Sequence, residues 1–192
     1  MGTIRISCAG LSSIKIGDKY LLIQNSNSRQ RGSIVYGPVG GALEYDDRGQ
    51  EFLSGLGFIP ERVTNDLRFQ LPIDKLDLFH DWFMKRDGRE DSNFREMFEE
   101  LVLEEKILPC LNKEDLVEDL VKITYFRKNS PHYNNPSLYY FEIFEIKFTK
   151  RIEEELLNIC NDPKSTVKLF TKEEIESGCN GEVTSHSIHI LN

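Results

Sequence analysis

Cysteine and tryptophan are scarce in this chain: four Cys and one Trp among 192 residues. Cys8, Cys110, Cys160 and Cys179 form no C-x-x-C pair, so neither a zinc ribbon nor a dithiol redox centre is encoded. His186 and His189 have ligand-like spacing but no Cys pair beside them, and they read as surface residues of a C-terminal strand. Reduced thiols in a cytoplasmic protein are the expectation. No apolar run approaches the roughly 20 residues of a membrane span. The first residues lack the long apolar core of a signal peptide, and Ile6 stands where a myristoylation motif needs Ser or Thr. Positive charge is also short. Lys and Arg number 24 against 32 Asp and Glu, a net charge of −8. That excludes a general basic surface for long nucleic acid. It leaves room for a small nucleotide whose phosphates arrive with metal ions.

What is present is a globular balance, 39% hydrophobic and 29% charged, enough for a real core. The length fits one domain, residues 1–192, with an insertion at about residues 48–89. Two strands are expected between Arg5 and Asn25, turning at Gly17-Asp18, then a polar loop from Asn25 to Gly32. Ile34-Val35-Tyr36 reads as a short strand entering Gly37-Pro38-Val39-Gly40-Gly41, a glycine density that marks a sharp turn or a close approach. Residues 48–89 are broken by Gly55, Gly57 and Pro60. A strand at Leu67–Leu71 and a helix at Ile73–Met84 are expected within them, the helix packing Leu76, Phe79, Trp82 and Phe83. Later come strands at Lys122–Phe126, Leu138–Ile146 and Val167–Phe170, a helix at Ile152–Ile159, and a capping box at Thr171-x-x-Glu174. Strands on both sides of a central helix predict an α/β (α+β) fold, a mixed sheet sandwiched by helices.

That central helix carries the most information. In Arg95-Glu96-Met97-Phe98-Glu99-Glu100, helical spacing places Glu99, Glu96 and Glu100 at about 140°, 200° and 240° from Phe94. Phe94, Met97, Phe98, Leu101 and Val102 take the opposite, core-facing side. Asp91 or Ser92 is the candidate N-cap, and Pro109 the latest end. Three clustered carboxylates repel one another, and a divalent cation would relieve that. A solvated helix face is the alternative, as a hairpin turn is for the glycine run. His132, Tyr133, Tyr139 and Tyr140 are candidates to stack a base, with sheet packing as the alternative.

Gly-Gly-x-x-Glu at residues 40–44, followed downstream by Arg-Glu-(apolar)-x-Glu-Glu, resembles the signature of the Nudix hydrolases. The resemblance is interrupted. Counted from Gly41, the acid position is Asp47 rather than Glu. The second half begins at Arg95 rather than at position 55, and Val102 replaces the usual Gly. A β-branched residue resists a left-handed turn, so the helix should run on past it. A split signature with a large insertion looks like the SMODS-associated Nudix domain, found beside bacterial cyclic-oligonucleotide synthases. The likeness is carried by Tyr36–Tyr45, Leu67–Pro72 and Phe94–Leu101.

The resemblance implies a Nudix-like α/β/α sandwich interrupted within its signature. It implies magnesium, with manganese as the alternative, held by Glu96, Glu99, Glu100 and a carbonyl in the Gly40-Gly41 turn. Glu96 would orient or deprotonate water, and Arg95 would anchor the loop–helix geometry through a buried ion pair. Gly41, Glu44, Asp47, His132 and Tyr133 are the candidate substrate contacts. The expected activity is hydrolysis of a phosphoanhydride in a nucleoside diphosphate derivative or related nucleotide, in nucleotide signalling or antiviral defence. A nucleotide-binding sensor and a protein–protein adaptor are the alternatives. No membrane partner is expected, and a homodimer is compatible with the resemblance.

Overall fold

The computed structural model describes residues 2–129 and 136–191. In chain order the elements are β1 (Thr3–Ile16), β2 (Lys19–Gln24), α1 (Ser26–Gln30), β3 (Tyr36–Gly37), α2 (Asp47–Gly55), β4 (Ile59–Pro60) and β5 (Arg68–Pro72). Then follow α3 (Leu76–Lys85), α4 (Phe94–Phe98), β6 (Leu116–Asn129), β7 (Pro136–Phe148), α5 (Lys150–Cys160), β8 (Val167–Phe170) and α6 (Lys172–Ser177). This is the expected mixed α/β fold, with eight strands in one sheet among the described residues. Among the described residues no helix is long and apolar enough to cross a membrane. The chain divides into two compact units, and β1, β6 and β7 each contribute residues to both.

The first unit comprises Met1–Gly10, Gly41–Asn93 and Lys122–Glu142. Here the first half of β1 pairs antiparallel with β5, Thr3 opposite Pro72 and Ser7 opposite Arg68, and β4 flanks β5. β5 alternates, burying Phe69 and Leu71, as a half-buried strand must. α3 buries Phe79, Trp82 and Phe83 at i, i+3, i+4 spacing. The strand and helix expected within residues 48–89 are therefore present. A third element, α2, was not legible. Its Asp46 cap accepts hydrogen bonds from the backbone N–H groups of Arg48 and Gly49 at 2.8 and 3.0 Å. Gly49 passes so close to the Gly88 carbonyl that an added Cβ would lie 2.0 Å from its oxygen. The segment 48–89 does not hang off a finished core. Leu53, Leu56, Leu67, Phe69, Leu71, Phe79, Trp82 and Phe83 are part of that core, packed with Ile4, Ile6, Leu43 and Tyr140.

The second unit comprises Leu11–Gly40, Phe94–Val121 and Ile143–Asn192. The end of β1 turns at Gly17, whose φ of 64° suits glycine, into β2. β2 pairs antiparallel with β3 and with β8, Tyr20 opposite Phe170 and Ile23 opposite Val167. Its core gathers Ile14, Leu21, Val39, Met97, Leu101, Phe144, Ile152 and Leu156. The Thr171–Glu174 capping box is formed. Three expectations are corrected. The polar loop after Asn25 contains α1, because the Asn25 side chain caps it by accepting from Ser28 N–H at 3.0 Å. The strand expected at Ile34–Tyr36 is only Tyr36–Gly37. His186 and His189 sit in a 3-10 helix, Ser185–Ile190, rather than a strand.

Candidate functional site

The acidic helix lies wholly in the second unit. Its apolar face is as expected: Met97 and Leu101 are fully buried, and Phe94, Phe98 and Val102 pack on the same core. The helix begins at Phe94, so the preceding residue is Asn93, and neither Asp91 nor Ser92 holds the cap position. Regular α-geometry ends at Phe98. Glu99–Glu104 form a π-helical turn, the wide winding that recurs at functional sites. The turn places Glu105 N–H on the Glu100 carbonyl at 3.1 Å. Val102 lies inside the turn, and the left-handed residue comes later, at Lys106 with φ of 51°. The helix therefore does run past the position where the Nudix signature has glycine.

The three carboxylates have different partners. Arg95 Nη1 donates to Glu96 Oε1 at 3.0 Å and to Glu99 Oε2 at 3.1 Å, so one guanidinium bridges two of the three acids. The Arg95 side chain remains 28% exposed, so these pairs are only partly buried. Glu100 turns inward, and its Oε2 accepts from the Gly40 backbone N–H at 2.8 Å. Gly40 has φ of 143°, outside the range open to most side chains. Burial pushes the Glu100 carboxyl up to about 8. Glu96, Glu104 and Glu105 add repulsion, and the Gly40 N–H pulls the other way. Below that value Glu100 is largely a neutral acid.

The Gly40–Glu100 bond ties the start of the glycine turn to the acidic helix within the second unit, although 60 residues separate them. Arg29 pairs with Glu105, 76 residues along the chain, at 2.5 Å, holding the Glu105 carboxyl below its usual range. The donor set Glu96, Glu99 and Glu100 is all oxygen, which suits a hard divalent cation. As arranged, however, no group of three His, Cys, Asp or Glu among the described residues is placed to hold a metal ion.

The remaining candidates are placed as follows. Gly41, Glu44 and Asp47 belong to the first unit. Gly41 accepts at its carbonyl from Gly10 N–H at 3.0 Å. Glu44 exchanges backbone contacts with Glu90, accepting from its N–H at 2.8 Å and donating to its carboxylate at 3.2 Å. Asp47 is exposed in the first turn of α2, where its charge faces the positive end of the helix. His132 and Tyr133 lie outside the described residues. Tyr139 and Tyr140 are engaged in sheet packing: Tyr139 stacks on Phe126 and Tyr140 on Tyr125, with ring centroids 5.4 and 5.6 Å apart.

One charged cluster went unread. Glu142 and Arg89 are both fully buried in the first unit and pair at 2.7 Å, while Arg86 meets Glu142 at 3.2 Å. The signal was available, a lone Glu at position 142 inside the apolar run Tyr139–Ile143. A family model described as SMODS-associated NUDIX domain matches residues 3–192. No curated protein and no solved structure matches the chain.

Proposed function

Because the chain belongs to the SMODS-associated NUDIX domain family, we propose that it is a magnesium-dependent hydrolase of a phosphoanhydride in a nucleoside diphosphate derivative or related nucleotide, acting in bacterial nucleotide signalling or antiviral defence. The observation that carries this reading is the 2.8 Å bond from Gly40 N–H to Glu100. A solvated acidic face has no reason to turn one carboxylate inward onto the glycine turn, where burial raises its pKa. A site that must hold acids close to a glycine-lined backbone does.

In this reading Glu96, Glu99 and Glu100 would hold the cation, magnesium or manganese, which would supply charge neutralisation of pyrophosphate oxygens and a more acidic water. The chain's own residues do the positioning. The Gly40 amide fixes Glu100, and Arg95 holds Glu96 and Glu99 beside one another. Glu96, with its side chain 14% exposed, is the carboxylate to orient the attacking water. Few further groups are required, because phosphoryl transfer depends mainly on positioning and charge stabilisation. Arg95 shared between Glu96 and Glu99 favours a second reading, a nucleotide-binding sensor with little turnover, since the guanidinium already balances the charge that a cation would balance.

The test is a nucleotide panel with and without magnesium, products resolved by chromatography: mono-, di- and triphosphates, dinucleoside polyphosphates, ADP-ribose, NAD and cyclic oligonucleotides. Magnesium-dependent turnover lost in Glu100→Gln supports the hydrolase. A magnesium-dependent thermal shift with one nucleotide and no turnover supports the sensor. Neither response overturns both and leaves an adaptor. Wild-type rates in Glu100→Gln overturn the site assignment.

A further inference from the structure

Between β2 and β3 the chain leaves the sheet and returns to it. The excursion is closed at its base, where Asn25 N–H donates to the Val35 carbonyl at 2.7 Å, and it carries α1. From α1 the Arg29 guanidinium reaches Glu105 with both Nη groups, at 2.8 and 2.5 Å. The two side chains are unequally covered, Glu105 7% exposed and Arg29 43%. The Thr166 side chain hydrogen-bonds the same carboxylate, and the Thr166 carbonyl accepts from Gln24 N–H at 2.7 Å. A forked pair on a covered carboxylate with a further hydrogen bond differs from the solvated surface pair that contributes little. All of these residues lie in the second unit.

Glu105 is where the winding of the acidic helix is decided. An α-helix would send its N–H to the Leu101 carbonyl. Here that N–H goes to the Glu100 carbonyl at 3.1 Å, and the Leu101 carbonyl accepts instead from Ile107 and Leu108 N–H at 2.8 and 3.0 Å. The π-turn is a rare winding, so contacts outside the helix must favour it over the α-form. Glu100, at the other end of that bond, has its carboxylate on the Gly40 N–H. One continuous stretch of chain, from Gln24 to Gly40, therefore grips the turn at both ends: the glycine turn holds Glu100 and α1 holds Glu105.

We propose that Arg29 is a positioning residue of the acidic site: its grip on Glu105 keeps the π-turn wound, and so keeps the Glu100 carboxylate on Gly40. Its effect on metal affinity rests on the reading of Glu96, Glu99 and Glu100 as cation ligands; its effect on the Gly40 amide does not. The full chain is tested by amide hydrogen exchange, read by NMR without metal, and by manganese binding, read by electron paramagnetic resonance. In Arg29→Ala the Gly40 amide should exchange faster while the amides of β2 keep their rates, and manganese affinity should fall about tenfold or more. Glu105→Ala should do the same, and the double variant should be no worse than either single change. Arg151→Ala removes a pair with Asp115 elsewhere in the unit and should change neither readout. An unchanged Gly40 amide in Arg29→Ala overturns the proposal. So does an equal rise in exchange across β2, which makes Arg29 a general support of the fold, or an unchanged manganese affinity. A natural sequence that binds no manganese overturns the cation reading instead, and the Gly40 amide then decides on Arg29.

Discussion

The backbone N–H of Gly40 and the Oε2 of Glu100 lie 2.8 Å apart, in a bond that closes a 60-residue separation. A partly buried acid held this way binds its proton more tightly folded than unfolded. The sign of its effect on stability follows. With a folded pKa of about 8 against an ordinary carboxylate value, the folded state carries the extra proton between the two. Stability contributed by Glu100 is therefore full below the ordinary carboxylate range and is lost as pH rises to about 8. In metal-free buffer, urea denaturation should show this loss with a slope of up to about 1.4 kcal/mol per pH unit. Glu100→Gln, which keeps an acceptor for Gly40, should remove that contribution to the slope without loss of fold.

Arg89 and Glu142 share a fully buried ion pair at 2.7 Å, and Arg89 also donates to the Phe83 carbonyl at 2.6 Å. Removing Arg89 leaves the fully buried Glu142 with the partly exposed Arg86, at 3.2 Å, as its ion-pair partner. Arg89→Ala is expected to cost about 3–5 kcal/mol in equilibrium denaturation. Replacing both with Leu should cost much less than the sum of the two single changes, since both fully buried charges go together and only the partly exposed Arg86 loses its Glu142 contact.

The two glycines of α2 should respond in opposite directions. At Gly49 a Cβ would lie 2.0 Å from the Gly88 oxygen, backbone against backbone, so Gly49→Ala should destabilise by about 1–3 kcal/mol. At Gly55 a Cβ meets open space within 4 Å and the backbone is helical, so Gly55→Ala should stabilise by about 0.4–1 kcal/mol. Thermal melts of the two variants check both signs.

Thiol chemistry should follow burial. Cys110 is exposed, whereas Cys8 is buried and its pKa is strongly raised by that burial. Burial also pushes Cys160 up to about 11. In the native protein a thiol reagent near neutral pH should modify Cys110 well before Cys8 and Cys160, and Cys8 only on unfolding. Peptide mapping of the labelled chain reads this directly.

The apolar spacing at Phe94, Met97, Phe98 and Leu101 was enough to orient the acidic helix, because which side is buried depends on local periodicity. The β2, β8 and α5 segments were legible for the same reason. α2 was not: Gly49 and Gly55 argue against a helix locally, and only the Asp46 cap and the packing of Leu53 outweigh them. The π-turn at Glu99–Glu104 was equally hidden, since no sequence period distinguishes it from an α-helix over six residues.

The sequence by itself determined the class of the fold, its family, and which residues carry the acids and the glycine turn. These follow from short-range pattern and from a motif whose second half, Arg95–Glu100, keeps its internal spacing although it is displaced along the chain. Only the tertiary structure decided that residues 48–89 help build a core rather than decorate one. It alone showed that Arg95 bridges Glu96 and Glu99 while Glu100 turns to Gly40. Those outcomes depend on which groups remain to satisfy a buried charge once the chain is packed. That is a contest between contacts distant in sequence, which no local pattern records.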